Sequence, residues 1–94
     1  MLPNANNEFT ITHYTVAVPH LDNEVQVTLD NKIHPGNKTV SVVANPRGAD
    51  ANTNVFVKSL SNSTGSWVIT FGLSALSDGT TPVSIDYMIY SSVV

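Results

Sequence analysis

The segment Asn54-Val55-Phe56-Val57-Lys58-Ser59-Leu60-Ser61-Asn62-Ser63-Thr64-Gly65-Ser66-Trp67-Val68-Ile69-Thr70-Phe71 decides how the rest of the chain is read. Two runs of β-branched and aromatic residues flank the polar segment Ser61 to Gly65. That is the pattern of an antiparallel hairpin closed by a type I turn with a left-handed glycine. Side chains alternate along an extended chain, so Trp67, Ile69 and Phe71 share one face of the second strand. The hairpin carries the only Trp and two of the three Phe, and so supplies the largest apolar area for a core.

Working outward, the remaining segments read as strands that add to this hairpin. Glu24 to Asp30 alternates cleanly, with Val25, Val27 and Leu29 inward and Glu24, Gln26, Thr28 and Asp30 outward. Phe9 to Val18 is a long strand stopped by Pro19, with apolar residues on both faces: Phe9 and Ile11 on one, Tyr14, Val16 and Val18 on the other. That pattern predicts cover on both sides. Asn31 to Asn37 holds a Pro-Gly turn, and Lys38 to Ala44 a further strand through Val40, Val42 and Val43. Asn45 to Thr53 reads as a loop, and Gly72 to Thr81 as a longer connection. The last strand runs from Pro82 to about Ser91, with Val83, Ile85, Tyr87 and Ile89 on one face and Ser84, Asp86, Met88 and Tyr90 on the other.

Composition agrees with strands. Asn, Ser and Thr number ten each and Val thirteen, while Lys, Glu, Ala and Leu are scarce, which disfavours helices. The chain has 94 residues, one domain's length, and a chain of that size buries only about 60–65% of its unfolded surface. Cysteine is absent, so neither disulfides nor thiolate metal sites contribute, and added stability must come from packing or oligomerisation. Charged residues are 12% of the chain, against a norm of about 25%, which suits a surface largely covered by neighbours or by Asn, Ser and Thr.

The predicted organisation is an arm over residues 1–8 and one antiparallel β-sandwich of about six strands over residues 9–94, with strand spacing that fits a sandwich or barrel. A net charge of -3 with Lys32, Lys38, Arg47 and Lys58 scattered gives no footprint for nucleic acid. No apolar run approaches the 18 or so residues of a membrane span, and the first residues lack a signal peptide's pattern, so the expectation is a soluble chain with no membrane partner.

The pieces Tyr14-Thr15-Val16-Ala17-Val18-Pro19, Val25-Gln26-Val27-Thr28-Leu29, Val55 through Trp67, and Val83-Ser84-Ile85-Asp86-Tyr87-Met88-Ile89-Tyr90 together resemble the H-type lectin domain. The resemblance implies a compact six-stranded antiparallel sandwich assembled as a trimer. In that family, aromatic and imidazole side chains before the last strand contact sugars where subunits meet. Here that loop, Gly72 to Gly79, has neither, so no sugar-binding residue is carried over. Domains of this type also occur in bacteriophage virions as fibre tips, baseplate modules and head decorations, which the Cys-free, Asn/Ser/Thr/Val-rich chain resembles.

Chemistry-bearing residues are few. His13, His20 and His34 with Asp22 or Glu24 lack ligand spacing on one strand face, and no metal or cofactor site is expected. A histidine at a subunit interface would instead make assembly pH-sensitive. Ser and His occur without a nucleophile elbow, and the seven acids form no nominated pair, so no enzyme is expected. Asn37-Lys38-Thr39 and Asn62-Ser63-Thr64 match the glycosylation pattern, which matters only on a secretory route.

Asp86 reads as a carboxylate able to bridge subunits through a Lys or Arg, against the commoner solvated role. Arg47 reads as a loop guanidinium able to reach a neighbouring chain. The candidate interface residues are Phe9, Tyr14, Arg47, Asp86 and Tyr90, and the arm Met1 to Glu8 and tail Ser91-Ser92-Val93-Val94 are expected to reach neighbours. The reading is a non-enzymatic virion protein, either a capsid decoration (cement) protein or a fibre or tail module. Its expected partners are itself, as a homotrimer, and a major capsid or fibre protein. The alternative is an H-type lectin with glycan partners and an aromatic platform from Tyr14, Tyr87 or Tyr90.

Overall fold

A computed structural model describes residues 9–19, 21–47, 54–74 and 83–92. The expected arm 1–8 and residues 20, 48–53, 75–82 and 93–94 lie outside these. The described residues form six antiparallel strands in two three-stranded sheets: β1 (Phe9–Ala17), β2 (Glu24–Thr28), β3 (Val40–Arg47), β4 (Val55–Ser61), β5 (Val68–Leu73) and β6 (Ser84–Ser92). Sheet A has the order β1-β6-β3 and sheet B the order β2-β5-β4. The first and last strands are thus neighbours, and β6 and β5 are the central strands.

The core lies where the inward residues of these two strands meet. Ile69, Phe71, Ile85 and Ile89 have no exposed surface, and Leu73, Val83 and Tyr87 are buried beside them. Strict alternation along β6 produces this, with 85, 87, 89 and 91 inward and 84, 86, 88, 90 and 92 outward. Trp67 packs against the core's edge and donates Nε1–H to the Lys38 carbonyl at 2.9 Å. The hairpin has the predicted form: Gly65 sits at φ 91°, and its N–H donates to the Asn62 carbonyl at 3.1 Å.

Three boundaries differ from the sequence reading. Asn45, Pro46 and Arg47 continue β3 rather than open a loop, because Asn45 and Arg47 pair with Asp86 and Ser84 of β6. Pro46 is tolerated because hydrogen bonding alternates along the pair. The Ser92 N–H donates to Thr39, so odd-numbered residues of β3 bond β6 and the missing N–H of Pro46 faces the free edge. Strand β5 continues through Gly72 to Leu73. A Cβ on Gly72 would come within 2.5 Å of the Phe56 ring, so the ring fills the space the glycine leaves. Ser91 and Ser92, expected in a projecting tail, belong to β6, and Ser91 is buried.

Candidate interaction surface

The outer face of sheet A is built in rows by the strand register. Ile11, Tyr90 and Ser41 form one row, His13, Met88 and Val43 the next, then Thr15, Asp86 and Asn45, then Ala17, Ser84 and Arg47, while Phe9 pairs with Ser92. The face therefore divides into an apolar half and a polar half. Phe9 and Ile11 are 55% and 61% exposed and Val43 45%, with Met88 and Tyr90 half-buried between them. The sequence predicted cover for both faces of β1, but no described part of this chain covers this one. A contiguous apolar strip across a sheet face is what an interaction site leaves on an isolated chain.

The polar half is organised by Asp86. Thr15 donates Oγ1–H to Asp86 Oδ1 at 2.6 Å, Arg47 Nε lies 3.5 Å from Oδ2, and His13 Nε2 lies 3.9 Å from Oδ1. Of the candidate interface residues, Phe9, Arg47, Asp86 and Tyr90 thus share this one face. Arg47 and Asp86 meet within the chain, one diagonal apart in the register, so Asp86 needs no cation from a neighbour. Ile11, His13, Val43 and Met88 complete the surface and were not singled out by sequence. The signal that would have found them is the pairing of β1 and β3 with opposite sides of β6.

Tyr14 lies on the opposite side of β1, facing the interior. Its ring stacks on Tyr87 at 5.3 Å between centroids, and Tyr87 contacts Phe71 at 4.9 Å. Burial, and the neighbouring Tyr14 in second place, push the Tyr87 phenol above its ordinary pKa. Tyr14 Oη is 2.9 Å from Nε2 of His34, which has no exposed surface and whose Nδ1 has no partner among the described residues. The cheaper tautomer carries the proton on Nε2 and donates it to Tyr14, because the alternative buries an unsatisfied N–H. Burial pushes His34 below its ordinary pKa, opposed in part by Asp30. Of the three tyrosines named for a sugar platform, Tyr90 alone is on an outer face.

Other regions offer less. Among the described residues no three His, Asp or Glu side chains gather to hold a metal ion. His20 lies outside the described residues, as does most of the loop compared with lectin sugar sites. The loop end carries an open depression lined by Asn31, Pro35, Gly36, Asn37 and Gly65, with no ionisable side chain among them. No helix is long and apolar enough to cross a membrane among the described residues.

No family model, characterised protein or solved structure matches this chain. The class defined by fold and surface is a small antiparallel β-sandwich with one polar-apolar sheet face uncovered by the described residues.

Proposed function

We propose that the protein is a non-enzymatic structural module, a bacteriophage-type virion component serving as a capsid decoration protein or a fibre or tail module. It works by burying the outer face of sheet A against copies of itself, as a homotrimer, and against a scaffold such as a major capsid or fibre protein. The observation that carries this reading is the uncovered strip of Phe9, Ile11, Val43, Met88 and Tyr90. Low charge supports it, since charged residues are depleted at the core of protein interfaces. Burying about 1,600 Å² in total would make such a contact stable. The virion setting rests on the resemblance in fold and composition. The lectin reading is weaker because Tyr14 and Tyr87 stack inside the sandwich.

Light scattering on the purified chain tests this. The expected mass is that of one trimer or a whole number of trimers, each three times the 10.1 kDa of one chain. Val43→Asp should remove the face contact and lower that mass, while leaving thermal unfolding within the scatter expected of surface substitutions, about 0.5 kcal/mol. A wild-type protein that stays at one chain's mass, or a Val43→Asp variant that keeps the assembled mass, would overturn self-association through this face.

A further inference from the structure

The four edge strands of the two sheets are unequally protected. Strand β2 is five residues long and opens with Glu24. Strand β3 turns Pro46 toward its free edge and ends at Arg47. Strand β4 is broken by a register shift between Val57 and Ser59, where Lys58 sits. Short length, proline, charge and bulges are the devices that stop open edges from pairing with other chains. Strand β1, Phe-Thr-Ile-Thr-His-Tyr-Thr-Val-Ala over nine residues, has none of them. It pairs with β6 without a shift throughout, and among the described residues no strand lies on its other side.

The hydrogen-bonding phase of that edge is fixed. The Val18 N–H donates to the Val83 carbonyl at 2.9 Å, so even-numbered residues of this strand bond β6. The N–H and C=O groups of Phe9, Ile11, His13, Thr15 and Ala17 therefore point to the open edge. These five positions are symmetric about His13. Two copies of β1 laid antiparallel about a two-fold axis at His13 pair all of them: His13 with its own copy, Ile11 with Thr15, and Phe9 with Ala17.

We propose that β1 pairs with β1 of a second copy in this register, joining two A sheets into one six-stranded antiparallel sheet. A second copy is the occupant the strand fits. The interface is self-complementary, as a two-fold contact requires, and β1 carries no Lys, Arg, Asp or Glu that would meet its like across the axis. The pairing also puts the outer faces of both A sheets on the same side of the joined sheet, with the exposed Phe9 and Ile11 of the two copies on opposite sides of the His13 axis. This inference rests on the reading that the protein self-associates and adds a two-fold contact to it. The edge contact is separate from the face, so it holds equally for a plain dimer and for paired trimers.

The absence of native cysteine makes the register testable by cross-linking. Opposed residues in a hydrogen-bonded antiparallel pair have Cα atoms about 5.5 Å apart, within disulfide range. His13→Cys, oxidised in the full chain, should give a species of twice the chain mass on a non-reducing denaturing gel, at least tenfold faster than Phe9→Cys alone. An equimolar mixture of Phe9→Cys and Ala17→Cys should cross-link between the two variants. Ile11→Pro removes an N–H facing the open edge and should abolish cross-linking when added to His13→Cys. Circular dichroism on each variant checks that the sheet persists. Equal rates for His13→Cys and Phe9→Cys, or no cross-link in folded His13→Cys, would overturn the proposal. Performing the same reaction in Val43→Asp separates the two contacts: loss of face association leaves the His13→Cys product, whereas failure of edge pairing removes it in either background.

Discussion

The outer faces of the two sheets have the same strand count but a different finish. On sheet B, Lys58 Nζ reaches Glu24 Oε1 at 2.6 Å, the Phe56 ring covers Gly72, and Gln26 lies 3.5 Å from Thr70 Oγ1. Of the remaining outward positions, Thr28, Ser59 and Ser61 are polar and exposed, and Val68 is apolar and half-buried. On sheet A the polar half closes on Asp86 in the same way, but the apolar half, Phe9 to Val43, has nothing over it among the described residues. The bulge that turns Lys58 outward and the glycine that seats Phe56 give sheet B contacts within the chain, with Phe56 itself 50% exposed. Among the described residues sheet A has neither a bulge nor a glycine on its outer face.

Substitutions can break or sharpen this contrast. The largest effect lies beneath both faces, where Phe71→Ala removes a fully buried ring that packs on Tyr87. Urea unfolding should show a loss of about 3–5 kcal/mol, enough to abolish the fold and both faces together.

Next comes His34, which ties the loop after β2 to β1 through Tyr14. Its folded pKa is lowered, so below the ordinary value of 6.5 the unfolded chain binds the proton that the folded chain refuses. Its contribution is therefore fully present above pH 6.5. It is lost as pH falls, by up to about 1.4 kcal/mol per pH unit, until the folded imidazole itself protonates. Unfolding midpoints from pH 7 to 5 should trace that slope, and His34→Leu should remove this component.

On sheet B, Phe56→Ala uncovers Gly72 and should cost about 1 kcal/mol in thermal unfolding without changing the native mass. Smallest is Lys58→Met, which breaks an exposed ion pair. Its cost should stay below about 1 kcal/mol and shrink further in 1 M salt, where screening acts over about 3 Å.

Much of this fold was legible because alternation is strict where strands are half-buried. Strands β2 and β6 and the β4–β5 hairpin follow from period-two patterning alone. Parity also separated Phe9 and Ile11 from Tyr14, Val16 and Val18, but could not say which set faces inward. That depends on which strands lie beside and beneath β1, so Tyr14 was read as an interface residue although it stacks on Tyr87. The extensions of β3 through Pro46 and of β5 through Gly72 were hidden for a related reason. Each residue breaks a strand by local propensity, and each is accommodated by a neighbour distant in sequence, the free edge in one case and Phe56 in the other. The meeting of Arg47 with Asp86 is likewise a product of register. Its two residues were legible as candidates, but their pairing was not.

The contrast between faces is tested most directly by NMR with a soluble paramagnetic probe in the assembled protein. The methyl groups of Ile11 and Val43, exposed on the single chain, should be shielded from the probe, while the Thr28 methyl on sheet B relaxes as an open surface group. Equal relaxation at all three positions would contradict the claim that sheet A carries the association surface.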